Sequence, residues 1–435
     1  MSEMLSIKDF LDNFAKANSG AFPYLANKGN DFEPGKDTVY YSGPYWDKAE
    51  VAAAIESLLS GYWLTSGEKV DKFERRFSKR FGFTESLMVN SGSSANLIMI
   101  AALKEFYGWQ DGDEIIVSVV GFPTTTSAII QNGLKPVFVD ITWEDLNWDL
   151  EKLRQSITTK TKAVFSSPVL GNPYDYDKLV DICFSHNIHI ISDNCDSLGS
   201  KWDGNFLTDY AVAASCSFYP AHHISTMEGG MVSSKNEEIV KLARSFAWWG
   251  RGCYCVGRQN LLSGGTCKKR FDRWIPECDD IVDHKYVFET VGYNLKPLDL
   301  QGAIGLIQLE KMEEIELKRK YNKSIMDSIF EKVNGCRVIT EHEKAETSWF
   351  GAPYICDTGD LKRKIIAHLE SNKIQTRNYF AGNLLMQPAY RKYGNWRDFP
   401  IASQVLSKVF FVGVSPTITD SMLSYVSKVV SEFKN

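Results

Sequence analysis

Four stretches of the chain place chemistry-bearing residues where short apolar runs end. "SLMVN" is followed by "SGSSAN", with Gly92 and Ser93 at a strand-to-helix turn. Free backbone N–H groups and the helix dipole make such a turn an anion site; a plain helix cap is the alternative, since serine is a favoured N-cap. "EIIVSVV" leads into "GFPTTTSA", where Phe122 is either a ring-stacking aromatic or a core residue. "IHIIS" ends on Asp193, and a carboxylate at the end of a buried strand is costly unless a cation or hydrogen bonds satisfy it. It could hold a protonated ring nitrogen, cap a helix or join a structural ion pair. "AVAASCSF" runs into "YPAHHISTMEGG", with Ser217 five residues before His222 and a second histidine, His223, beside it. The pair reads as a base, a metal ligand or a satisfied structural pair.

Taken together, a phosphate cradle, a stacking aromatic, a strand-end aspartate and a basic residue near a serine describe a site for pyridoxal or pyridoxamine 5′-phosphate (PLP or PMP). An aspartate there keeps the pyridine nitrogen protonated, so that the ring accepts electrons.

The elements that must position these residues follow from periodicity. "SLMVN", "EIIVSVV", "KPVFVD", "KAVFSS", "IHIISD" and "AVAASCSF" are strand-length apolar runs separated by helical stretches such as "EKVDKFERRFSKRFG". That alternation predicts an α/β domain with a mostly parallel sheet covered on both faces, over residues 46–296. "LDLQGAIGLIQLEKMEEIELKRKYNKSIMDSIF" predicts a long helix with a kink, opening a smaller α+β domain at 297–435. Residues 1–45 are polar and turn-rich, an extension with a helix at its front.

Composition narrows the class. The chain has 435 residues, 44% of them hydrophobic and 24% charged, as in a soluble globular protein. A net charge of −5 gives no reason to expect a nucleic-acid partner. The start has acidic residues and no apolar core, unlike a signal peptide, and no stretch approaches the roughly 20 apolar residues of a membrane span, so a cytoplasmic location is expected. Nine cysteines without a secretion signal argue against a disulfide framework. Cys183, Cys216, Cys336 and Cys356 read as core residues. Cys253 and Cys255, in "GCYC" near the cysteine-rich stretch 250–285, stand apart.

From Trp46 on, the chain resembles the sugar aminotransferase and dehydrase family of the aspartate-aminotransferase fold. The resemblance is carried by "GYWLTSGEKVDKFERRF", "NSGSSAN", "GFPTTTSAI", "SDNCDSLGS", "SFYPAHHISTMEGGMV" and "GYNLKPLDLQGAIGLIQLEKM". It implies the fold type I architecture of PLP-dependent transferases, with a seven-stranded sheet. The family's aminotransferases carry their cofactor on a lysine five residues after the serine of the "SF" pair; here that position is His222. Imidazole cannot make the covalent link, but it acts as a general base near neutral pH. The resemblance therefore implies a PMP-dependent 3-dehydrase of a nucleotide-linked 4-keto-6-deoxy sugar, on the route to a 3,6-dideoxy sugar of a surface polysaccharide. It implies His222 as base, Asp193 on the pyridine nitrogen, Phe122 stacked on the ring, and Gly92, Ser93 and Ser217 on the phosphate. Asn294 of "GYNLKP" is implied to reach the cofactor of a neighbouring subunit, hence a homodimer. His223 is read as structural.

Two branches of the family share the histidine. One recycles its cofactor with glutamate. The other takes electrons through a [2Fe–2S] cluster from a separate flavin and iron–sulfur reductase, and it resembles a pattern of four cysteines. Here Cys195 lies two residues after Asp193, 57 residues separate it from Cys253, and Cys255 completes the pair. The family spacing for the fourth falls on Ser263. Cys267, in "GGTCKKRF", is favoured as the fourth ligand over Cys278, in "WIPECDD". Four thiolates suit such a cluster, and zinc would accept them too. The expectation is the reductive 3-dehydrase. The rivals are a glutamate-dependent dehydratase without a cluster and a non-catalytic sugar-nucleotide-binding regulator.

Overall fold

The structure, a computed structural model, describes residues 6–17, 32–61, 64–253 and 269–434. The apolar runs become strands of a seven-stranded sheet: β1 (Glu85–Val89), β2 (Glu114–Ser118), β3 (Lys135–Val139), β4 (Thr161–Ser166) and β5 (His189–Asp193), then, after a small hairpin of β6 (Lys201–Trp202) and β7 (Asn205–Phe206), β8 (Ala213–Ser217) and β9 (Gly230–Ser234). Their spatial order is β1-β9-β8-β5-β4-β2-β3. The pairs β2–β3, β2–β4, β4–β5 and β5–β8 are parallel, and β9 alone runs against its neighbours β1 and β8. Every residue of β2 and β8 is buried. That is why these runs are continuously apolar rather than alternating: helices cover both faces.

The helices are built as their sequences dictate. Helix Glu68–Phe81 buries Val70, Phe73, Phe77 and Phe81 on one stripe and stops at Gly82, which is left-handed at φ 73°. Helix Gly92–Tyr107 follows β1, and helix Pro123–Gln131 follows β2 with proline at its first position. The expected long C-terminal helix is two helices, Asp299–Glu310 and Met312–Phe330, meeting at Lys311. The first packs on helices Lys48–Ser60 and Glu68–Phe81, so the chain beyond residue 297 also covers the large sheet.

A second sheet of four antiparallel strands has the order β10-β12-β14-β13, from Cys336–Val338, Gly351–Cys356, Val409–Gly413 and Thr376–Asn378. The two-residue strand β11 (Ala345–Glu346) pairs with β6 and ties this part to the large one. The N-terminal extension does not hang free. Val39 forms a parallel bridge with Ile374, its N–H donating to the Lys373 carbonyl at 2.9 Å while the Gln375 N–H donates to the Val39 carbonyl at 3.0 Å. Cys183, Cys216 and Cys356 are buried, and Cys336 is half-buried opposite Cys356. Among the described residues no helix is long and apolar enough to cross a membrane.

Candidate active site

Because six strands share one direction, the carboxyl ends of β1, β2, β4, β5 and β8 open onto a single edge, where ligands collect in such sheets. A cavity of about 680 Å³ lies there. Its walls include Gly92, Ser93, Phe122, Asp193, Cys195, Ser217 and His222 from the large sheet, and Phe350, Arg377 and Phe380 from the C-terminal part.

The anion cradle is built by close approach. Ser91 caps helix Gly92–Tyr107, its Oγ accepting from the Ser94 N–H at 3.1 Å. The N–H groups of Gly92 and Ser93 precede the first intrahelical bond and face the cavity end. A Cβ on Gly92 would stand 2.4 Å from the Cβ of Ser217, so glycine is what lets the end of β8 meet the helix start. Helix cap and anion site are thus the same turn.

Asp193, 4% exposed, closes the floor. Its Oδ2 accepts from Asn96 Nδ2 at 2.8 Å and from Thr125 Oγ1 at 2.6 Å, and its Oδ1 from the Cys195 N–H at 3.3 Å. Asn96 is itself held by the Ser215 hydroxyl. Neutral donors therefore satisfy the carboxylate, and among the described residues no lysine or arginine forms an ion pair with it. Phe122 remains 54% exposed, its ring edge-on to Phe380 at 6.3 Å. It is a wall of the cavity rather than a core residue.

His222 lies on the loop after β8. Burial first, and then the guanidinium of Arg319, pull its value down to about 3, opposed by a hydrogen bond with the Cys195 backbone. The imidazole is neutral at physiological pH. Its Nδ1 is 3.8 Å from Asp196 Oδ1 and has no hydrogen-bond partner among the described residues. Asp196 is pushed up to about 7 by burial and by the nearby Asp193, against the Leu170 N–H and Arg319. Arg319, 1% exposed, donates to the carbonyls of His222 at 3.1 Å, Trp349 at 3.1 Å and Phe350 at 3.2 Å. It fixes the backbone that carries His222. His223 is buried; its Nε2 donates to the Ser348 carbonyl at 2.8 Å, while its Nδ1 has no hydrogen-bond partner among the described residues.

Seven of the expected residues thus converge: Gly92, Ser93, Phe122, Asp193, Cys195, Ser217 and His222 all line the cavity. Asn294 does not; it is exposed, hydrogen-bonded to Lys296, and bridges to Trp248. Cys253 is buried with its Sγ 3.4 Å from His284 Nε2. Cys255 and Cys267 lie outside the described residues, and Cys278 is half-buried. Among the described residues no three His, Cys, Asp or Glu side chains gather to hold a metal. Asn96, Thr125, Asp196, Arg319 and Arg377 were not foreseen. Asn96, Thr125 and Asp196 lie inside stretches already singled out, "SGSSAN", "GFPTTTSA" and "SDNCDSLGS". Nothing local marks Arg319 or Arg377.

The residues present fit a phosphorylated pyridine: a helix-start cradle that a Cβ would fill, a buried carboxylate held by neutral donors, and an open aromatic face. Sheet order, strand-end cavity and this set define the fold type I class of PLP-dependent enzymes. The chain belongs to the DegT/DnrJ/EryC1/StrS aminotransferase family, which it matches over residues 45–431. It is 36% identical to the lipopolysaccharide biosynthesis protein RfbH of Salmonella typhimurium, across 92% of this chain and 93% of that one. It is 34% identical to the dTDP-4-dehydro-2,6-dideoxy-D-glucose 3-dehydratase of Saccharopolyspora spinosa, across 92% and 88%. A solved structure of E. coli GDP-4-keto-6-deoxy-D-mannose-3-dehydratase with bound hydrated PLP superposes with a TM-score of 0.79 at 30% identity, covering 90% of this chain and 99% of that one.

Proposed function

We propose that the protein is a PMP-dependent 3-dehydrase of a nucleotide-linked 4-keto-6-deoxy sugar. The observation that carries this reading is His222. Among the described residues lining the cavity there is no lysine, and the imidazole of His222 stands there on the loop after β8. The relatives that act at C3 of such sugars support it.

When bound, PMP supplies an amine that condenses with the C4 ketone and a ring that accepts electrons. The chain's own residues do the rest. The N–H groups of Gly92 and Ser93 and the hydroxyl of Ser217 would hold the phosphate, Asp193 the pyridine N–H, and Phe122 one ring face. His222 takes up the proton whose loss drives the C3 hydroxyl out, and Arg319 keeps the loop under it from shifting.

The finer reading is reductive. Cys195, Cys253, Cys255 and Cys267 would hold a [2Fe–2S] cluster able to supply single electrons from a separate flavin and iron–sulfur reductase; two electrons with two protons would leave C3 as a methylene. The place of Cys195, on the cavity wall two residues after Asp193, supports it. A homodimer is part of the same reading, with Asn294 reaching the partner's cofactor. The exposure of Val291 at 94% and of Tyr293 beside Asn294 supports that face as a contact.

The test is to load the protein with PMP and offer CDP- and GDP-linked 4-keto-6-deoxyhexoses. Loss of one water from the sugar, with solvent deuterium appearing in the product, is the expected result. Amino transfer to C4 without water loss would refute the dehydrase reading.

A further inference from the structure

The N-terminal extension enters the cavity. Residues 39–42 lie along the edge of the small sheet: Val39 bridges Ile374, the Tyr41 N–H donates to Gln375 Oε1 at 3.3 Å, and Ser42 Oγ donates to the Ala221 carbonyl at 2.9 Å, next to His222. Gly413 makes room for this run, since a Cβ there would meet the Tyr41 carbonyl oxygen at 1.9 Å. Tyr41 is thereby fixed in the cavity wall, edge-on to Phe411 at 6.2 Å. The guanidinium of Arg377 lies on its ring, 4.0 Å from the centroid.

Arg377 is half-buried on β13 and spends one N–H on the Thr376 carbonyl at 2.8 Å. Among the described residues it forms no ion pair with a carboxylate, and it is the one lysine or arginine in a cavity lining that also includes Asp193, Asp196 and Glu228. A half-buried guanidinium with no carboxylate in direct contact keeps donors to spare, and its planar fork matches phosphate oxygens two at a time. The stacked ring holds that fork in one plane before any ligand arrives. The phosphate cradle at Gly92 is built from other elements, β1 and β8, so Arg377 is free for a second anion.

We propose that Arg377, oriented by Tyr41 from the N-terminal extension, binds the diphosphate of the nucleotide-sugar substrate. This deepens the function proposed above and rests on it. Arg377 touches the substrate; Tyr41 is a positioning residue.

The experiment is calorimetric titration of the PMP-loaded protein with CDP, GDP, cytidine, guanosine and glutamate. Wild type is expected to bind one of the diphosphates well above its nucleoside. Arg377→Met should weaken that diphosphate by about 10- to 100-fold, leave the nucleoside unchanged and still load PMP, the size expected for lost charge-assisted hydrogen bonds. Tyr41→Ala should weaken the diphosphate less, and Tyr41→Phe, which keeps the ring, should restore it. Should Arg377→Met fail to load PMP, Arg377→Lys decides: it keeps the charge without the fork and should still lose several-fold. Diphosphate binding unchanged in the arginine variants overturns the proposal, and so does a loss confined to glutamate. Wild type that binds neither diphosphate removes the nucleotide-sugar reading itself.

Discussion

Gly92 and Ser217, 125 positions apart in the chain, sit so close that a Cβ on the glycine would lie 2.4 Å from the serine Cβ. Gly92→Ala should push the start of its helix away from β8 and open the cradle. Overpacking of this kind costs about 1–3 kcal/mol. The expected outcome is a lower melting temperature and PMP affinity reduced about tenfold or more, read by titration of the apoprotein. Unchanged affinity would mean that the phosphate is held elsewhere.

His222→Asn should load PMP as the wild type does, because the residue is assigned to proton transfer and not to anchoring. C3 dehydration should fall by about 10²–10⁴, the usual worth of a positioned base. Solvent-deuterium exchange into the cofactor's methylene group should fall in parallel. Retained exchange would assign the proton transfer to another group.

The buried His223 carries a pH signature. Burial, and then Arg319, hold its folded-state value well below the ordinary 6.5, while the Ser348 carbonyl only partly opposes them. Unfolding therefore takes up a proton below about pH 6.5. The stability tied to neutral His223 is complete above that pH and is lost as the pH falls, by up to about 1.4 kcal/mol per pH unit. His222, pulled down to about 3, adds a loss of the same sign and Asp196, raised to about 7, tilts the other way, so the wild-type slope alone does not isolate His223. Denaturant midpoints from pH 7 to 5 should show a shallower acid loss in His223→Gln than in the wild type; parallel curves would show that His223 does not set the slope.

Anaerobically purified protein should contain about two irons and two acid-labile sulfides per chain, as a [2Fe–2S] centre requires. Cys195→Ser and Cys267→Ser should lose them, and Cys278→Ser should keep them. Iron lost from the Cys278 variant and kept in the Cys267 variant would exchange the two ligands. No iron after reconstitution, with glutamate-supported turnover, would favour the cluster-free dehydratase.

The two histidines show what reading the sequence reached and where it stopped. Their position after a buried strand was visible, and so was the choice between base and structural residue. Their surroundings differ: His222 lines the cavity, while His223 spends its Nε2 on the Ser348 carbonyl. Phe122 was open between core and cavity, and its exposure decides for the cavity. The long helix was expected as one element with a kink, and it is two helices because the chain turns at Lys311 to serve two layers.

The sequence by itself determined six strands of the large sheet, their mostly parallel arrangement and the residues at their ends. Those depend on periodicity within five to fifteen neighbours, which a chain carries locally. It also puts a histidine at position 222, where the resemblance to the family's aminotransferases implies a lysine. Only the tertiary structure decided what supports those residues. Arg319 reaches the His222 carbonyl across 97 positions, and Tyr41 meets Gln375 across 334. Such contacts are selected by how layers pack and by which buried charges must be satisfied. No local pattern encodes them, and through them the N-terminal extension becomes part of the cavity.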